Sequence, residues 1–108
     1  MSGADRKNRL EKEILRLAPR LDAADRKEIV EHALWSKGLR RATVERAAWL
    51  SLISYLRHNF TAYDQMLRDN YPFEAARYFS MEDINTILRD IGCPLRLSDG
   101  ESPHLDQD

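Results

Sequence analysis

The chain has 108 residues, of which 43% are hydrophobic and 32% charged, a size and mixture that suit one small globular domain and leave no room for two cores. Its net charge is −1, so nothing in the total demands a nucleic acid or an anionic membrane as partner. Cys93 is the only cysteine, which excludes an intrachain disulfide and a cysteine cluster for zinc.

In chain order, the pattern is helical nearly throughout. The N-terminal "MSGADRKNRLEKE" lacks the apolar core of a signal peptide. Leu10, Ile14, Leu17 and Leu21 then fall on one helical face, and Pro19, which disfavours helix at Ala18, predicts the stop. "LDAADRKEIVEHALWSKG" predicts a second helix with Asp22 as N-cap, Ile29, Val30, Ala33 and Leu34 inward, and Gly38 as a left-handed terminator. The third helix is expected over about residues 41–59. Trp49, Ile53, Leu56 and Phe60 form one stripe and Val44, Ala48, Leu52 and Tyr55 another, so apolar residues cover more than half its circumference, the mark of a central helix.

Thr61 restarts the chain as an expected N-cap answered by Asp64, a capping box in outline. Pro72 is placed to open a short helix. Ser80 with Asp83 repeats the box before "MEDINTILRDIG", where Met81, Ile84, Leu88 and Ile91 face inward and Gly92 ends the helix. "CPLRL" predicts an extended arm packed back on the body. The expected architecture is all-α: a compact bundle of five or six helices around the central one, residues 1–97 forming a single domain and residues 98–108 a disordered acidic tail.

Charge is unevenly shared. Residues 1–46 hold twelve Lys/Arg against eight Asp/Glu, or +4; residues 47–108 hold five against ten, or −5. Such asymmetry marks either a binding face or a solvated helical surface. The longest apolar-rich run, "AAWLSLISYL", is too short to span a bilayer, so no membrane association and a cytoplasmic location are expected.

Three groups of residues could carry chemistry. Arg57, His58, Thr61, Tyr63 and Asp64 crowd one helix–helix corner. Capping accounts for Thr61 and Asp64; Arg57, His58 and Tyr63 are left over as a polar face for binding or acid–base work. Lys37, Arg40, Arg41 and Arg46 precede the central helix and could contact phosphates, although Glu45 interrupts them. His32, His58 and His104 lack the spacing of a metal site, and no metal or cofactor is expected. Ser51 and Ser54 have no glycine elbow, and Cys93 after a helix C-terminus reads as a packing residue.

The stretch "VERAAWLSLISYLRHNFTAYDQMLRDNYPFEAARYFSMEDINTILRDIG" resembles the bacterial domain-of-unknown-function family 2293. The likeness rests on an Ala-rich apolar helix ending in Arg57-His58, then Thr61, Tyr63-Asp64, Ala76-Arg77 and a closing amphipathic helix. It covers about residues 43–92, with weaker likeness back to about residue 20; Asn59-Phe60 stands where other members often carry other residues. The resemblance implies that Arg57, His58, Thr61, Tyr63, Asp64 and Arg77 belong to the family's pattern, and names no substrate.

The leading expectation is a protein-interaction or scaffolding module, which requires an apolar patch larger than monomers usually expose. The alternative is a nucleic-acid-associated protein, which requires Lys37, Arg40, Arg41 and Arg46 to share one exposed face with Arg57. Third is an enzyme working at Arg57, His58, Tyr63 and Asp64. The reading leans away from enzyme activity.

Overall fold

The computed structural model describes residues 3–98. Five α-helices carry the described chain: α1 (Gly3–Leu17), α2 (Ala23–Trp35), α3 (Val44–Phe60), α4 (Tyr63–Arg68) and α5 (Phe73–Asp90), with a 3-10 turn at Lys37–Leu39. The all-α expectation holds. Beyond Ser98 the expected tail lies outside the described residues.

Helices α1, α2 and α3 pack on one another, α5 lies against α3, and α4 bridges the end of α3 to α5. The stripe on α1 is as the period predicts: Leu10, Ile14 and Leu17 are fully buried and Leu21 nearly so. On α2, Ile29, Val30 and Ala33 are buried. Helix α3 is the central one. Ala47, Ala48, Leu52, Ile53 and Leu56 have no exposed surface, while Trp49 and Tyr55 are half-buried and Phe60 reaches solvent. Polar bonds fix how α2 lies on α3: the Tyr55 hydroxyl donates to Asp25 at 2.5 Å, and His32 Nδ1 meets Ser51 Oγ at 2.9 Å. That bond to a carboxylate pushes the Tyr55 phenol up to about 12.

The turn after α1, the end of α5 and the arm beyond it are tied by side chains acting on backbone. Arg20 Nε donates to the Asp90 carbonyl at 3.0 Å and Nη2 to the Arg89 carbonyl at 3.2 Å, so the turn after α1 covers carbonyls left open at the end of α5. Gly92 follows with φ of 85°, the left-handed conformation expected of a terminator. The arm then returns along α5: Cys93 and Leu97 are buried, and the Asn85 carboxamide donates to the Leu97 carbonyl at 2.9 Å while accepting from the Leu97 amide at 2.7 Å.

Three local expectations are corrected. Gly38 does not end α2 in a left-handed turn; Ser36, in extended conformation, does, and Gly38 lies in the 3-10 turn. Ser80 is not a helix cap. It is buried inside the continuous helix α5, its hydroxyl donating to the Ala76 carbonyl at 2.8 Å, a back-bond that competes with capping and removes the predicted break. Thr61 closes α3 rather than opening α4: its hydroxyl donates to the Arg57 carbonyl at 2.6 Å and accepts from the Tyr63 amide at 3.1 Å. Asp64 is drawn instead to His58.

Candidate functional site

The corner between α3, α4 and α5 gathers most of the residues singled out from the sequence. Helix α3 ends at Phe60 because Thr61 takes up an extended conformation and bonds back to the last turn. Helix α4 starts at once, with Tyr63 its first residue, so Tyr63 swings back under the end of α3. It is 0% exposed, and Arg57 is 1% exposed. The Arg57 guanidinium carbon lies 5.5 Å from the Tyr63 ring centroid, a cation–π stack. The His58 ring meets the same ring edge-on at 5.2 Å, and His58 Nδ1–H donates to Asp64 Oδ1 at 2.6 Å on the solvent side.

Arg57 therefore differs from expectation. A charged residue in a last helical turn reads as exposed, yet this one is buried where α4 and α5 close over it. Its pKa is lowered to about 10, first by burial and further by the like charge of Arg77, with the Tyr63 phenol opposing. Arg77 is half-buried on α5 and stacks over Phe73 at 5.8 Å. Tyr63 and Ala76 are buried apart from the main core cluster, so the corner has its own small interior.

The corner makes Thr61 a structural keystone. Thr61→Ala is expected to lower stability by about 1 kcal/mol in a urea melt, the usual net worth of an intramolecular hydrogen bond, and Thr61→Ser to restore most of it. No loss with alanine would show that water replaces the hydroxyl at no cost.

The basic corner is a separate place. Lys37, Arg40, Arg41 and Arg46 are all exposed, and Lys37, Gly38, Arg40 and Arg41 line a shallow open depression. Arg46 stands near the start of α3, about 16 Å along the axis from Arg57. With Arg57 buried at the other end, the four residues and Arg57 do not share one exposed face.

Among the described residues no group of three or more His, Cys, Asp or Glu stands close enough to hold a metal ion, and no helix is long and apolar enough to cross a membrane. Cys93 is buried, and burial pushes its thiol up, away from the reactive thiolate.

A second feature was not singled out from the sequence. Tyr71, Tyr78 and Phe79 are 44%, 62% and 57% exposed, and their rings touch: Tyr71 meets Phe79 at 6.1 Å and Tyr78 meets Phe79 at 5.6 Å, both edge-on. The signal was available. "YPFEAARYF" puts four aromatics within nine residues, more than one buried stripe of α5 can take inward.

A family model described as "Uncharacterized conserved protein (DUF2293)" matches residues 13–91, a span that holds both the corner and the aromatic surface. No curated protein and no solved structure matches the chain.

Proposed function

The chain belongs to the DUF2293 family of uncharacterized conserved proteins, and from its surface we propose that it is a protein-interaction domain that binds a short, basic, apolar-anchored segment of another protein. The observation that carries this reading is the exposed ring cluster of Tyr71, Tyr78 and Phe79. Aromatic side chains offer large contact area with few rotors to immobilise, so they dominate binding energy at interfaces.

Area and charge choose the occupant. Each ring is about half exposed, so the cluster offers roughly 300 Å², which lies within what monomers commonly expose and does not reach the roughly 800 Å² per partner of a standard interface. That suits a short segment better than a second folded surface. From Asp69 to Asp83 the chain carries Asp69, Glu74, Glu82 and Asp83 against Arg77 alone, or −3, so the complementary segment is basic.

A display selection with short random peptides tests the reading. Enriched peptides are expected to be positively charged with apolar anchors, to weaken with salt, and to lose about tenfold in affinity or more on Phe79→Ser. The melting temperature should stay unchanged, because the ring is exposed. Absence of enrichment, or peptides whose binding ignores Phe79→Ser, would sink it.

A further inference from the structure

Trp35 ends α2 and is 76% exposed, more than any other large hydrophobic residue described. Its indole N–H donates to Glu31 at 3.0 Å, which fixes the ring and leaves its faces to solvent. Lys37, Arg40 and Arg41 follow within six residues, all exposed, while Leu39 is buried and pins the turn. Among the described residues none of these three cations, nor Arg46, pairs with a carboxylate. From Trp35 to Arg46 the chain carries Lys37, Arg40, Arg41 and Arg46 against Glu45 alone, or +3. A turn between two helices is a short segment although a folded body carries it, and this one is basic with an apolar anchor. The charge beside the rings of α5 is placed to meet it. Glu74 and Glu82 stand one turn before and one turn after Tyr78, and Asp83 one turn after Phe79, all three exposed. The two patches lie at opposite ends of α3. Helix α2 runs antiparallel to α3, as the Tyr55–Asp25 and His32–Ser51 bonds show, so Trp35 stands toward the start of α3. The first turns of α5 pack with α4 beyond its end. With α3 roughly 25 Å long, the two patches cannot meet within one chain.

We propose that the aromatic surface of one copy of this chain takes the Trp35–Arg41 turn of a second copy, a contact that rests on the reading of Tyr71, Tyr78 and Phe79 as a receptor for such a segment. Trp35 supplies the apolar anchor against the rings, and Lys37, Arg40 and Arg41 meet Glu74, Glu82 and Asp83. An open depression beside Trp35, lined also by His32, Lys37 and Gly38, gives a projecting ring of the other copy a place to enter. Charge selects this pairing over two aromatic surfaces face to face: +3 then meets −3, whereas ring-to-ring contact would set −3 against −3. The area is below that of a standard interface, so the association is weak and reversible. Each copy uses one end in the contact, and its other end stays open to a further copy.

Sedimentation equilibrium of the full chain, from micromolar to millimolar concentration, reads the contact. The apparent mass is expected to rise with concentration and to fall back as salt is added. Trp35→Ser and Phe79→Ser should each weaken association about tenfold or more. Both should melt with the wild-type chain, because both side chains are exposed. Mixing the two variants is decisive. The Trp35→Ser copy keeps its aromatic surface and the Phe79→Ser copy keeps its basic turn, so the mixture should associate at a total concentration where neither variant does alone. Arg41→Glu in place of Trp35→Ser should give the same pattern. A chain that stays monomeric throughout would overturn the proposal. So would association that ignores Trp35→Ser, which would mean that two aromatic surfaces meet, or a mixture no better than either variant alone. If the monomeric chain still binds display-selected peptides and loses them on Phe79→Ser, the receptor reading stands and the self-contact alone falls. If those peptides fail as well, both fall.

Discussion

Leu56→Ala is expected to lower the free energy of unfolding by about 2–5 kcal/mol, the range for large-to-small changes in a packed interior. Leu56 has no exposed surface and sits on α3, the helix against which α1, α2 and α5 all pack. Truncation removes buried methyl groups and leaves a cavity that three surrounding helices cannot all close at once. Urea unfolding measures the loss, with an unchanged denaturant slope showing that the folded and unfolded states are otherwise the same. Trp49→Ala belongs at the low end of the same range, because the indole is only half-buried. A loss below about 1 kcal/mol for Leu56→Ala would contradict the central position of α3.

Gly92→Ala is expected to cost about 2 kcal/mol or more, for two separable reasons. At φ of 85° an L side chain is strained by about 1–2 kcal/mol. In addition, a β-carbon there would stand 3.0 Å from Pro19 Cγ and 3.2 Å from Arg20 Nη1, so Arg20 would have to shift from the position in which it bonds Asp90 and Arg89. A double-mutant cycle separates the two. Combined with Arg20→Ala, Gly92→Ala should cost less than it does alone, and the difference is the share due to displacing Arg20. Full additivity would mean that backbone strain and the contact with Pro19 make up the whole effect.

What could be read from the sequence followed from rules local to a few turns of helix. The 3.6-residue period placed Leu10, Ile14 and Leu17 inward, and Pro19 and Gly92 marked ends that only those residue types make sharp. Rules of the same kind misled where two partners competed for one group. Ser80 with Asp83 has the spacing of a capping box, but a serine hydroxyl reaches the carbonyl four residues back equally well, and within α5 it does so. Asp64 has the position of a capping partner, but His58, six residues earlier, lies close enough to claim it.

Arg57 is the instructive case at the candidate site. Leu50, Ile53 and Arg57 follow i, i+3, i+7, so the spacing aimed the arginine along a buried line from the start. Its charge argued for solvent. Only the sharp re-entry at Thr61, which folds α4 back over the end of α3, resolves the conflict in favour of burial, and that depends on contacts the helical period does not encode.

Helix α5 is continuous in geometry but uneven in what holds it. Toward its C-terminal end Ile84 and Leu88 enter the core, Asn85 grips the arm and Arg20 covers the last carbonyls. Toward its N-terminal end only Ala76 and Ser80 are buried, and the large rings face outward. Local opening of the first turns therefore uncovers only the small interior around Tyr63 and Arg57, whereas opening of the last turns requires the bundle to come apart. A peptide that docks on Tyr78 and Phe79 must also hold those first turns closed. Part of its binding free energy is then spent on helix order, and any change that quiets the first turns in the free protein would tighten binding without adding a contact.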